Sequence, residues 1–83
     1  MDAERELKLY AQVRVVRLAR SPNEYDGWRL NQRPPRVGDV GYLIEVLKAQ
    51  DFPDRYLVEM SGPDGVDIWL SEFERTEIEP VAT

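Results

Sequence analysis

The stretch Ser21-Pro22-Asn23-Glu24-Tyr25-Asp26-Gly27-Trp28-Arg29-Leu30-Asn31-Gln32-Arg33-Pro34-Pro35-Arg36 constrains the fold more than any other. Three Pro, one Gly and two Asn leave it no room for a regular helix or strand. A loop of that length inside an 83-residue chain is uncommon, and is generally either functional or disordered. Tyr25 and Trp28 argue for order, because disordered segments are poor in aromatic residues. The Pro34-Pro35 step biases the end of the loop towards an extended, polyproline-like backbone.

What flanks the loop reads as short strands. Val13, Val15 and Val16 favour a strand between Ala11 and Ala19. Val37-Gly38-Asp39-Val40-Gly41 reads as a tight turn entering a strand that runs to about Lys48, with Tyr42, Ile44 and Val46 on one face. After a connector at Gln50–Asp54, Tyr56, Val58 and Met60 alternate. Asp64-Gly65 is a strong hairpin signal, and Val66, Ile68 and Leu70 alternate after it. Ser71–Glu74 suits a 3₁₀ turn, and a short strand near Glu77–Pro80 ends the pattern. Residues 1–10 are ambiguous between helix and strand, since Leu7 has apolar neighbours at both spacings. The expectation is a single all-β domain over residues 11–81, preceded by an N-terminal segment of uncertain type.

The inventory excludes much chemistry. With no Cys and no His there is no disulfide, thiol nucleophile, thiolate zinc site or Ser-His-Asp triad. No apolar run approaches the roughly 20 residues of a membrane span. The charged start, Met1-Asp2-Ala3-Glu4-Arg5-Glu6, does not read as a signal peptide, so a cytoplasmic location is expected. Asp51 with Asp54 and Asp64 with Asp67 fit no calcium-loop spacing. The expectation is no enzyme, no cofactor and no metal.

The net charge of −5 disfavours general affinity for nucleic acid or anionic membranes. The charge is uneven. Residues 1–40 carry eight Lys and Arg against six Asp and Glu, whereas residues 41–83 carry three against ten. Either half could face a partner of opposite sign, or the two could pair with each other.

The order of strand, long loop, Gly-Asp turn, hairpin-linked strands, 3₁₀ turn and short last strand resembles a five- or six-stranded Src-homology-3-like barrel. The segments carrying the likeness are Val37-Gly38-Asp39-Val40, Leu70-Ser71-Glu72-Phe73 and Ile78-Glu79-Pro80-Val81. Arg33–Gly41, Arg55–Glu59 and Ile68-Trp69-Leu70 further resemble small bacterial proteins of unassigned function that carry this barrel. The aromatic positions that read proline-rich peptides in eukaryotic members are mostly not matched here. The likeness implies a fold and little about activity.

If Val66, Ile68 and Leu70 face the core, Trp69 lies on the opposite face. There it is either an exposed contact or covered by the N-terminal segment through Leu7 and Tyr10. Tyr25 and Trp28 either form a contact surface on the long loop or pin that loop to the body. The sequence reading therefore places a protein-binding patch at Tyr25, Trp28, Trp69 and Phe73, with Arg33 and Arg36 at its rim. A monomer or weak dimer is expected. Two alternatives are a nucleic-acid contact through Arg14, Arg17, Arg20, Arg29, Arg33 and Arg36, and an inhibitor- or immunity-type role for the acidic half.

Overall fold

The computed structural model describes residues 7–81. Five antiparallel strands form one open sheet: β1 (Gln12–Val15), β2 (Val40–Ala49), β3 (Phe52–Ser61), β4 (Asp67–Phe73) and β5 (Ile78–Pro80). Their order across the sheet is β4-β3-β2-β1-β5, so β4 and β5 are its two edges and the sheet is not closed by strand pairing. A 3₁₀ turn at Pro22–Tyr25 lies in the long loop after β1, and a second, at Arg75–Glu77, leads into β5. Among the described residues no helix is long and apolar enough to cross a membrane.

The core is Val13, Val15, Tyr25, Leu43, Val58, Trp69, Phe73 and Ile78. Tyr56 and Met60 pack against it beside Val58, as the alternation along β3 predicts. Phe73 is the aromatic hub. Its ring lies 5.4 Å from that of Tyr25 and 5.6 Å, edge-on, from that of Trp69, both within the favourable range.

Two strands differ from the alternation read in the sequence. In β2 the register against β3 shifts between Leu43 and Glu45, so Leu43 is buried while Tyr42 is half exposed, and Val46 returns to the core side. A bulge reverses the facing of all residues beyond it. In β4 the buried face is Trp69, Ser71 and Phe73, and Val66 lies in the turn, exposed. The Val66, Ile68 and Leu70 face is therefore not the core face. The last turn also moves: β4 continues to Phe73, and the 3₁₀ turn begins at Arg75.

Glycine is required at two points on β2's approach. Gly38 turns the chain with φ +100, a left-handed conformation that glycine adopts without steric cost. A Cβ on Gly41 would lie 2.5 Å from the carbonyl oxygen of Glu59 and 2.9 Å from Val58, so only glycine lets β2 and β3 approach there.

Of the N-terminal segment, residues 1–6 lie outside the described residues. Residues 7–10 form neither helix nor strand; Leu7 packs on the core, and Tyr10 stays exposed while its N–H donates to the carbonyl of Leu43.

Candidate functional site

The long loop is a built element, and two carboxylates hold its ends. Near its C-terminal end, Asp39 accepts hydrogen bonds from Nη1 and Nη2 of Arg33 at 2.8 and 3.1 Å, from the indole N–H of Trp69 at 2.9 Å and from the backbone N–H of Arg36 at 2.9 Å. Burial pushes the Asp39 carboxyl up. The Arg33 and Trp69 hydrogen bonds, the Arg36 N–H and the Arg33 charge outweigh burial and hold it below the usual carboxylate value.

At the loop's start, Glu77 is fully buried. It accepts the N–H of Ala19 at 2.9 Å, the N–H of Glu74 at 2.7 Å and the hydroxyl of Tyr25. Burial again pushes upward. The Ala19 N–H, the Tyr25 hydroxyl, the Glu74 N–H and the nearby Arg20 charge prevail, and Glu77 too sits below its ordinary value. Burial, with the hydrogen bond to Glu77, pushes the Tyr25 hydroxyl up.

Between these anchors the loop runs along the free edge of β4. The N–H of Gln32 donates to the carbonyl of Ile68 at 2.7 Å, and the Gln32 side chain donates to that of Asp67. The N–H of Leu70 donates to the Asn31 side chain at 2.9 Å, and Arg20 Nη2 donates to the carbonyl of Glu72. The Ser71 hydroxyl donates to the carbonyl of Tyr25 at 2.7 Å. An edge strand left bare is a template for pairing with another chain. Here loop side chains occupy those edge groups.

This packing corrects the aromatic patch. Trp69 and Phe73 are fully buried and Tyr25 is 1% exposed, so none of the three presents a surface. The polar atoms of the inward β4 face are satisfied from the loop, which allows Trp69 and Ser71 to face the core. The indole N–H of Trp69 is held by Asp39, which Arg33 also pairs with; of the N-terminal residues expected over Trp69, Leu7 packs on the core that contains it, whereas Tyr10 is exposed. Arg33 is a structural partner of Asp39, whereas Arg36 is exposed. Of the four aromatics, Trp28 reaches the surface, at 42% exposure.

Trp28 stands over a cleft of about 210 Å³ shared with Arg20, Tyr25, Gly27 and Glu72. Glu72 also lines a neighbouring cleft of about 330 Å³ under the β2–β3 turn, with Phe52 and Arg55. The clefts thus meet at one residue, with an exposed aromatic side chain in each. The sequence reading missed Phe52 and Arg55. The signal was there, an aromatic in a turn next to Pro53, but Gln50–Asp54 read as connector only.

The arginines of the first half are largely committed within the chain. Arg14 pairs with Glu79 at 3.7 Å, and Arg17 donates to the Thr76 hydroxyl at 3.0 Å. Arg20 stacks 4.3 Å from the Tyr25 ring centre while donating to the backbone, and Arg33 holds Asp39. Among the described residues no three His, Cys, Asp or Glu side chains gather where they could hold a metal ion.

No family model, curated protein or solved structure matches this chain.

Proposed function

We propose that the chain is a non-catalytic protein-binding module on a Src-homology-3-like, partly open barrel. The barrel reading rests on the strand order β4-β3-β2-β1-β5, the long loop after β1 and the 3₁₀ turn before β5. The contact face is the outer side of the long loop and the clefts that meet at Glu72. One observation carries this: a loop anchored at both ends still leaves Trp28 42% exposed and Leu30 65% exposed. A large aromatic held on a fixed loop buries much area on binding and loses little entropy.

A native pull-down with wild type and Trp28→Ala, with nuclease treatment in parallel, tests the reading. The expected result is a protein that survives nuclease, is lost with Trp28→Ala, and is lost without a change in thermal midpoint. Capture that ignores Trp28→Ala, or that nuclease empties, overturns it. The nucleic-acid alternative draws less support, because Arg14, Arg17, Arg20 and Arg33 already have partners within the chain. An acidic-inhibitor role is supported by less surface than the sequence suggests, since Glu77 is buried and Glu79 pairs with Arg14.

A further inference from the structure

The open sheet has free edges at β4, at β5 and along the second half of β2, and the chain treats them differently. The free side of β4 is held by Asn31, Gln32 and Arg20. β5 is 3 residues long and ends in Pro80, which cannot donate to a further strand. On β2, β1 pairs with Val40, Gly41 and Tyr42, and the backbone of Ala11 and Tyr10 then bonds to Leu43. There the chain turns through Lys8–Ala11, with Tyr10 at φ 68. From Ile44 to Ala49, β3 lies on one side of β2. On the other side no described residue forms a hydrogen bond with its backbone.

A row of unpaired backbone donors and acceptors is a template for another extended chain, and proteins guard it with edge lysines and bulges. Both guards are weak here. Lys48 is the one cation between Ile44 and Ala49, and Asp54 already holds it at 2.9 Å. The register shifts of β2 lie on either side of Glu45-Val46-Leu47 and leave that stretch regular. Large apolar side chains stand at both ends of the run. Tyr10 is bonded to Leu43 at one end, and Phe52 lies opposite Ala49 at the other. At 71% and 72% they are the most exposed large apolar side chains among the described residues.

We propose that this edge pairs with the same edge of a second copy, antiparallel about a twofold axis at Val46, so that one sheet runs through both chains. That register sets the regular stretch against itself. It places Glu45 opposite Leu47 of the second copy, and it brings the Phe52 end of each chain beside the Tyr10 end of the other. One edge used twice is the isologous arrangement of ordinary homodimers. The pairing is short, at the weak end of interface sizes, and each chain carries a net charge of −5, so the dimer is weak and concentration-dependent. The inference does not rest on the protein-binding reading, because neither Trp28 nor the long loop takes part.

The test is sedimentation of the full chain from micromolar to millimolar concentration at physiological salt, with amide exchange followed in parallel. The wild type should dimerise. Those amides of Ile44–Lys48 that do not bond to β3 should exchange freely in the dilute monomer and slow as the dimer forms. Leu47→Lys should tighten the dimer about fivefold and Leu47→Glu should weaken it by about as much, since each acts at two symmetry-related cross-strand pairs with Glu45. Leu30→Lys and Leu30→Glu change the net charge equally, away from the edge, and should move the equilibrium far less. Wild-type exchange needs no variant, so a Leu47 variant that fails to fold leaves the test intact. A monomer at millimolar concentration, or Leu47 variants that act no more than the Leu30 ones, overturns the inference. So does protection of these amides in the dilute monomer, which would mean that the edge is covered within one chain. A dimer lost with Trp28→Ala would put the contact on the long loop and overturn it as well.

Discussion

The two ends of the long loop solve one problem differently. At one end Asp39 is offset by a formal cation, and both partners keep some access to water: the side chains are 12% exposed for Asp39 and 23% for Arg33. At the other end Glu77 is sealed, and the donors it accepts from are neutral: two backbone N–H groups and the Tyr25 hydroxyl. The ion pair looks the stronger of the two anchors. The consequences of damage run the other way. Without the Asp39 charge, Arg33 can turn to solvent and Trp69 loses one acceptor. Without the Glu77 charge, the buried Tyr25 hydroxyl and two part-buried backbone N–H groups lose their acceptor together, and a donor left buried costs close to its full desolvation. Access to water, more than formal charge, decides which anchor the fold can spare.

The largest expected effects follow. Glu77→Gln keeps the shape but sets an amide against three donors; it should cost about 3 kcal/mol, the upper end for losing hydrogen bonds to a charged group and leaving a buried donor unsatisfied. Asp39→Asn should cost about 2 kcal/mol, within the range for hydrogen bonds to a charged group. In a domain of this size each kcal/mol moves the thermal midpoint by about 4–8 °C. Denaturant midpoints for both variants measure the difference directly. A larger loss at Asp39 would reverse the comparison.

The same two residues show how far the chain is legible before it folds. Asp39 has a local signature, with Arg33 and Arg36 just upstream in a Pro- and Gly-marked turn. Its Trp69 contact, thirty residues away, has none. Glu77 reads as one member of a solvated acidic run, because its loop partners lie 58 and 52 residues off. The strands, the extent of the loop, the β3 face and the Asp64-Gly65 turn are visible because each depends on neighbours in sequence. The facing of β4 is not. Aliphatic alternation selects Ile68 and Leu70, while the inward Trp69 and Ser71 depend on hydrogen bonds that exist only once the loop has closed over them. For that reason Tyr25, Trp69 and Phe73 lie inside rather than on the expected surface, and of the four aromatics Trp28 is exposed.

Acid sharpens the comparison next. Both carboxylates sit below their ordinary values of 3.8 and 4.5, so the folded chain binds fewer protons there than the unfolded chain. Their stabilisation is complete above those ordinary values and is lost as the pH falls through the lower folded ones. The slope of stability against pH in that window, measured by denaturation at stepped pH, should become shallower in Asp39→Asn and in Glu77→Gln. An unchanged slope in either would mean that its carboxylate does not titrate with unfolding.

The smallest effect has the opposite sign and lies away from both anchors. Glu59 on β3 shares a hydrogen bond with Asp67 of β4, and that contact, with burial and the Asp67 charge, pushes its carboxyl above 4.5. A raised acid binds its proton more readily in the folded state, so near neutral pH the pair is a small burden that is relieved as the pH falls. Glu59→Gln should therefore stabilise the chain near neutral pH by roughly 0.2–1 kcal/mol, the scale of a cross-strand pair. The gain should fade towards pH 4, the reverse of the loss expected at Asp39 and Glu77. A lower thermal midpoint for Glu59→Gln at neutral pH would show that the two carboxylates are not in conflict. The contrast between satisfied and unsatisfied acids would then be confined to the loop anchors.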